Sequence, residues 1–217
     1  MPWLRSKLGF HLLRVLVMPL DGLPVVKVQH PNLRYAALTE AEVIEWCKDP
    51  ELDLDEARVR AACQRGDVCV GVSEQGQPVG YVWFAFDATP HIQGVWVQFE
   101  GFARYFYKSF IRPSHRGRQI APELYRRASE LCPRRGRVMD VLVIDVGNTP
   151  SLGASRAAGH AFMGYAGFLR CLGRTLTFAS PGARRCGFAF FTHEKGARPA
   201  APPVLHERSA DPLFKRR

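Results

Sequence analysis

Apolar positions along the chain follow two rhythms, the alternation of a strand and the wider spacing of a helix. After a stretch holding Gly22, Pro24 and Pro31, which reads as a linker, Arg34 to Leu38 predicts a short strand. Thr39 is a good N-cap, and Glu42 three residues later completes a capping box for a helix running to about Trp46, with Val43 and Ile44 facing inward. Lys48-Asp49-Pro50 breaks that helix, and Asp55 opens a second one through Val59, Ala62 and Cys63, stopped near Gly66. Val68 to Ser73 and Val79 to Phe86 flank the turn Glu74-Gln75-Gly76-Gln77-Pro78 and read as a β-hairpin. Gly94 to Phe99 fits either another strand or an active-site loop. Tyr105 to Ile111 is aromatic and β-branched, a strand, and Ala121 to Leu131 places Leu124, Ala128 and Leu131 at helical spacing. Arg137 to Asp145 is a compact apolar run, a buried strand, and a helix of small residues follows Asn148. Thr175 to Ala179 and Phe188 to Thr192 read as a closing pair of strands around the turn Ser180-Pro181-Gly182.

The N-terminal stretch is ambiguous. Leu4, Leu8, Leu12, Val15 and Leu16 fit one face of a basic helix resting on a membrane or partner. Leu12 to Met18 fits an added strand, and a strand or packed arm is the preferred reading. His11 and Arg14 interrupt the apolar run, which is too short and too charged to span a bilayer, and no small-residue cleavage site follows it. From Gly196 onward, Pro199, Pro202, Pro203 and Pro212 with Lys215-Arg216-Arg217 read as a disordered tail. The expected organisation is an N-terminal arm and linker over 1–33, one domain over 34–195 and a basic tail over 196–217. The order of elements predicts an α+β fold. A single mixed, mainly antiparallel sheet is flanked by helices, with an extra N-terminal arm.

Composition narrows the partners. The net charge of +10 favours anionic ligands, and much of it clusters around Arg112 to Arg137. The six cysteines form no C-x-x-C and have no zinc-ligand spacing with histidine, which predicts free thiols, a reducing, cytoplasmic setting and no metal. Between the strand ending at Ile111 and the helix opening near Pro122 lies a basic, glycine-containing loop. A strand feeding such a loop and then a helix N-terminus is an anion site: free backbone N–H groups and the positive end of a helix dipole, with arginines nearby.

This strand, loop and helix resemble motif A of the GCN5-related N-acetyltransferases, where a V-x-P-x-x-R-G-x-G-x-G/A stretch wraps the pyrophosphate of acyl-coenzyme A. Ile111-Arg112-Pro113 matches the strand end, Arg116, Gly117 and Arg118 follow the pattern, and Ala121 fills the closing position; the middle glycine is replaced by Gln119. Asn148, Ser151 and Gly159 keep a second spacing of the family, while its usual tyrosine is Ser155 and the phenylalanine after the glycine is His160. The resemblance spans roughly Tyr35 to Phe191. It implies transfer of an acetyl or other short acyl group from acyl-CoA, with acetyl-CoA as cosubstrate, to a primary amine by direct attack. It implies a cofactor site of Phe110, Ile111, Arg116, Gly117, Arg118, Gln119, Ile120, Ala121 and Asn148. It also implies that strands 105–111 and 138–145 splay around the thioester, with a backbone N–H near Ile111 facing the oxyanion.

The reaction needs a base for the amine and benefits from an acid for the leaving thiolate. The family's strand glutamate falls at Tyr105. Tyr105 and Tyr107 share a strand face and either relay a proton through water or simply pack; Glu100, just upstream, is the nearest carboxylate or a solvated loop residue. Trp83 and Trp96 are candidates for lining an acceptor cleft. Gly153-Ala154-Ser155-Arg156-Ala157 lacks the last glycine of a nucleophile elbow, and the chain has no phosphate-binding G-x-x-x-x-G-K loop. A non-catalytic module of the same fold, or a basic nucleic-acid-binding protein stacking bases on 104–118, is the competing reading. Nucleic acid is the disfavoured partner, and a homodimer stays open.

Overall fold

The computed structural model describes residues 9–23, 30–92 and 94–192. The expected tail, the start of the arm and part of the linker lie outside the described residues. The strands of the main sheet are β1 (Phe10–Pro19), β2 (Leu33–Leu38), β3 (Val68–Glu74), β4 (Gln77–Ala85), β7 (Ala103–Ile111), β8 (Met139–Asp145), β9 (Ala161–Cys171) and β10 (Arg174–Ala179). They lie in the order β10-β9-β1-β8-β7-β4-β3-β2. Only β7 and β8 run parallel, so the sheet is mixed and mainly antiparallel. A small second sheet holds β5 (Thr89–Ile92), β6 (Val95–Gln98) and β11 (Ala189–Thr192).

Five helices pack on this frame: α1 (Glu40–Trp46), α2 (Glu56–Gln64), α3 (Ile120–Leu131), α4 (Thr149–Ala158) and α5 (Pro181–Arg185). The capping box at Thr39 and Glu42 forms as its spacing predicts. On the back of the sheet, Leu124 of α3 and Leu152 of α4 pack with Val70, Phe84, Phe106 and Ile144. On the front, α1 and α2 bury Val43, Val59 and Ala62 against Tyr81 and Trp83. Beside them the small sheet and α5 close over Val15, Tyr105, Val141 and Phe168. Tyr107 touches both front clusters.

Two expectations change. The strand over Leu12 to Met18 forms, but it is no appendage: β1 lies between β8 and β9 in the middle of the sheet. Its Leu13, Val15 and Val17 pack to the front and Leu16 to the back, as for a strand covered on both faces. The pairing of Thr175–Ala179 with Phe188–Thr192 does not occur. β10 pairs with β9, β11 pairs with β6, and the intervening turn is α5, capped by Ser180. β9 is a strand that the sequence pattern does not assign, and it carries Gly164 and Gly167. α5 packs closely on it: a β-carbon on Gly182 of α5 would meet the Met163 carbonyl of β9 at 1.9 Å.

Candidate active site

β7 and β8 are in register only from Ala103–Met139 to Phe106–Leu142. β7 then continues against β4 as far as Ile111, and β8 against β1 as far as Asp145. Between them a wedge opens. A bulge in β7 turns it away: Tyr81 faces Phe110 and Trp83 faces Tyr107, and the extra residue lies at Lys108, whose φ is 41°. The closed end is held by Arg104 and Asp140, register partners with fully buried side chains. Arg104 Nε donates to Asp140 Oδ1 at 2.7 Å and Nη2 to Oδ2 at 2.9 Å. Its remaining N–H groups donate to the Ser129 and Cys132 carbonyls at the end of α3. At the open end the Arg112 N–H is used on the Val79 carbonyl of β4. By strand alternation the Ile111 N–H, one residue back, points the other way, into the wedge.

Beyond Ile111 the chain makes a short turn, Pro113–His115, and enters α3. Side chains of Thr39, Asp55, Asn148 and Ser180 cap the other four helices, but α3 has no side-chain cap. Among the described residues no backbone carbonyl takes the N–H of Gly117, Arg118 or Gln119. Gly117 has φ of 80° and nothing within 4 Å of where a β-carbon would sit, so an oxygen-rich group can approach its backbone. Gln119 has φ of 62°, a left-handed conformation that explains why the family pattern has glycine there. These features fit a pyrophosphate.

The loop's basic side chains have partners within the protein. Arg118 and His115 pair with Glu74, and Arg112 pairs with Asp49 and Glu51. The Arg118 guanidinium holds the Glu74 carboxyl below its usual range. Arg116 donates from Nε to the Ile111 carbonyl at 3.0 Å and lies over the Phe110 ring, which stacks on Tyr81. These arginines brace the loop while its backbone is left open. Ile120 is buried in the back cluster and Ala121 packs against it. Asn148 Oδ1 accepts from the Ser151 N–H as the cap of α4.

On the front of the wedge, Tyr105 is buried and stacks on Tyr107 with ring centroids 5.7 Å apart. Burial pushes the ionisation of both tyrosines up. The Tyr107 hydroxyl donates to Asp67 Oδ2 at 2.7 Å, and Arg65 donates to the same oxygen at 2.8 Å. Burial raises the Asp67 carboxyl and outweighs these hydrogen bonds. Glu100 is not brought here. It precedes β7 at the closed end, where its carbonyl accepts from Ala103 N–H and its side chain lies against Gly187. Trp83 is buried under α1 and α2, while Trp96 pairs with Phe191 on the small sheet, so the two do not share a packed cluster.

On the back of the wedge, Ser109 Oγ and the Tyr125 hydroxyl are 2.8 Å apart. Ser155 is fully buried, and its carbonyl accepts from both N–H and ring Nδ1 of His160. Two departures from the family pattern thus meet at one point. Burial depresses His160 to about 4, so its ring is neutral. Asp67 and Tyr125 were missed from sequence. Asp67 stands alone between a helix stop and a strand, and Tyr125 sits among the inward positions of an amphipathic helix.

The sequence pattern of the acetyltransferase (GNAT) family matches residues 35–159, more than half of the 217-residue chain. No curated protein matches the sequence. Among solved structures, a GCN5-related N-acetyltransferase from Kribbella flavida is 12% identical with a TM-score of 0.50, the match covering 83% of this chain and 62% of that one. Another, from Sphaerobacter thermophilus, is 16% identical with a TM-score of 0.50, covering 72% of this chain and 50% of that one. The present chain therefore spans only about half to three-fifths of those proteins. With the wedge, the uncapped helix and this match over its central residues, the chain belongs to the acetyltransferase (GNAT) family.

Proposed function

We propose that the protein transfers an acetyl group from acetyl-CoA to a primary amine by direct attack. The observation that carries this reading is the parallel pair that parts beside an uncapped helix N-terminus. The open amides of Gly117 to Ala121 would hold the pyrophosphate, with the helix dipole adding to the attraction. The Ile111 N–H would donate to the carbonyl oxygen as it gains negative charge. On the front, the Tyr107–Asp67 pair is the proton acceptor for the incoming ammonium: the phenol oxygen takes a proton as its own passes to Asp67. Desolvation makes Asp67 a stronger base than a solvated carboxylate. Tyr105 supports the ring of Tyr107, and Glu100 has no part in this reading. Against the nucleic-acid alternative, Arg104 is buried and Arg112 and Arg118 are ion-paired within the protein.

The test is a thiol-release screen with acetyl-CoA and a panel of amines, together with calorimetry of acetyl-CoA on the parental protein and Gly117→Glu. Glutamate adds bulk and negative charge at an open φ-positive position, and affinity is expected to fall more than about tenfold, about 1.4 kcal/mol. Equal affinity in a folded variant refutes the site.

A further inference from the structure

We propose that Tyr125 is the proton donor to the departing thiol, an assignment that rests on the acetyl-transfer reading above. Thioester aminolysis benefits from a proton delivered to sulfur, and Tyr107 and Asp67 are already assigned to the amine. On the back of the wedge, Ser109 belongs to β7 beyond the last residue registered with β8. Ser151 belongs to the first turn of α4, which follows β8. The Tyr125 hydroxyl comes between them, 2.8 Å from Ser109 Oγ and in reach of the Ser151 side chain; burial pushes its ionisation up, and these two contacts offset that only in part. A row of neutral hydroxyls therefore bridges the two walls where they part. The phenol ring is fixed edge-on between Phe106, at 4.9 Å, and His160, at 6.3 Å. Ser155 does not compete for the role: its hydroxyl is buried without a partner among the described residues.

The step balances in atoms and charge. As the C–S bond of the tetrahedral adduct breaks, its electron pair stays on sulfur, and sulfur takes the proton of the Tyr125 hydroxyl. The phenolate regains a proton through Ser109 from the nitrogen, which must lose one to become an amide. Nitrogen has lost one proton, sulfur has gained one, and Tyr125 is restored.

The contact with sulfur can be read without any acceptor. The thiolate absorbance of CoA bound to the parental protein is titrated against pH and compared with Tyr125→Phe. A hydroxyl beside the sulfur should lower the bound thiol's midpoint by about one pH unit, a shift absent in the variant. With an amine found in the screen, Tyr125→Phe should lower kcat by about 10²-fold while leaving acetyl-CoA affinity unchanged. Ser109→Ala keeps the ring packing and should lose part of the midpoint shift, so the idea stays testable if Tyr125→Phe does not fold. If CoA binds and parental and variant proteins titrate alike, only the assignment of Tyr125 falls. If CoA does not bind the parental protein, the acetyl-transfer reading fails first and takes this assignment with it.

Discussion

The two ends of the β7–β8 pair are built on opposite principles. At the closed end a fully buried Arg104–Asp140 pair ties the strands to each other and to the end of α3. At the open end Ser109 and Tyr125 bring two neutral hydroxyls together, and among the described residues no backbone carbonyl takes the amides of Gly117, Arg118 and Gln119. A buried ion pair tolerates no rearrangement, because separating the charges leaves each without solvation. Hydroxyls donate or accept as needed. Rigidity is placed where the strands must stay together, and exchangeable protons where something must enter between them.

The strongest way to break this contrast is at the closed end. Arg104→Met leaves Asp140 buried and unpaired, and should destabilise the fold by about 3–5 kcal/mol in urea unfolding. The double variant Arg104→Met/Asp140→Leu should recover most of that loss. If the single variant unfolds at the parental urea concentration, the pair is not a clamp.

Acid should act next. His160, behind the open end, and His91, on β5 of the small sheet, are both depressed to about 4 from the usual 6.5, chiefly by burial. Both are neutral when folded and charge more readily when unfolded. Their contribution is therefore full above 6.5 and lost as pH falls toward 4, by up to about 3 kcal/mol each. His160→Phe should flatten the drop in Tm between pH 7 and pH 5, and an unchanged slope would remove His160 from this account.

A smaller effect is expected at the loop. Gln119→Gly relieves a left-handed side-chain-bearing residue and should raise stability by about 1 kcal/mol while keeping or improving acetyl-CoA affinity. Weaker binding would mean that the glutamine side chain touches the ligand. The smallest effect should come from Ser155→Ala, with turnover changed by less than about tenfold. Tyr107→Phe should cost about 10²-fold or more if it relays the amine proton. A collapse in Ser155→Ala with a normal Tyr107→Phe would invert the assignment.

The unit of strand, loop and helix around Gly117 was legible because its parts are contiguous, and each carries its own signal: β-branched residues, Gly117 and Pro122. The splay of 105–111 from 138–145 came from the family resemblance, and the register limits agree with it. What failed depends on distant partners. Nothing local in Arg104 or Asp140 reports that they face each other across two strands. Glu100 is near 105–111 along the chain, yet it lies beyond the closed end of the pair, ahead of β7. Tyr125 fitted the apolar stripe of its helix, and its hydroxyl gains meaning only beside Ser109.

The position of β1 bears on how the molecule is made. Leu13 lies opposite Asp145, and Leu12 lies opposite Gly167. A strand synthesised early must wait for partners that come much later, and closing so long a loop is entropically slow. Until then β8 keeps an unpaired edge, the kind of surface that invites association with other chains. One wall of the wedge is therefore among the last parts of the sheet to be secured. A nascent chain that already carries the whole 35–159 region, but has β1 blocked, would have its loop and uncapped helix and still lack one firm wall of the wedge.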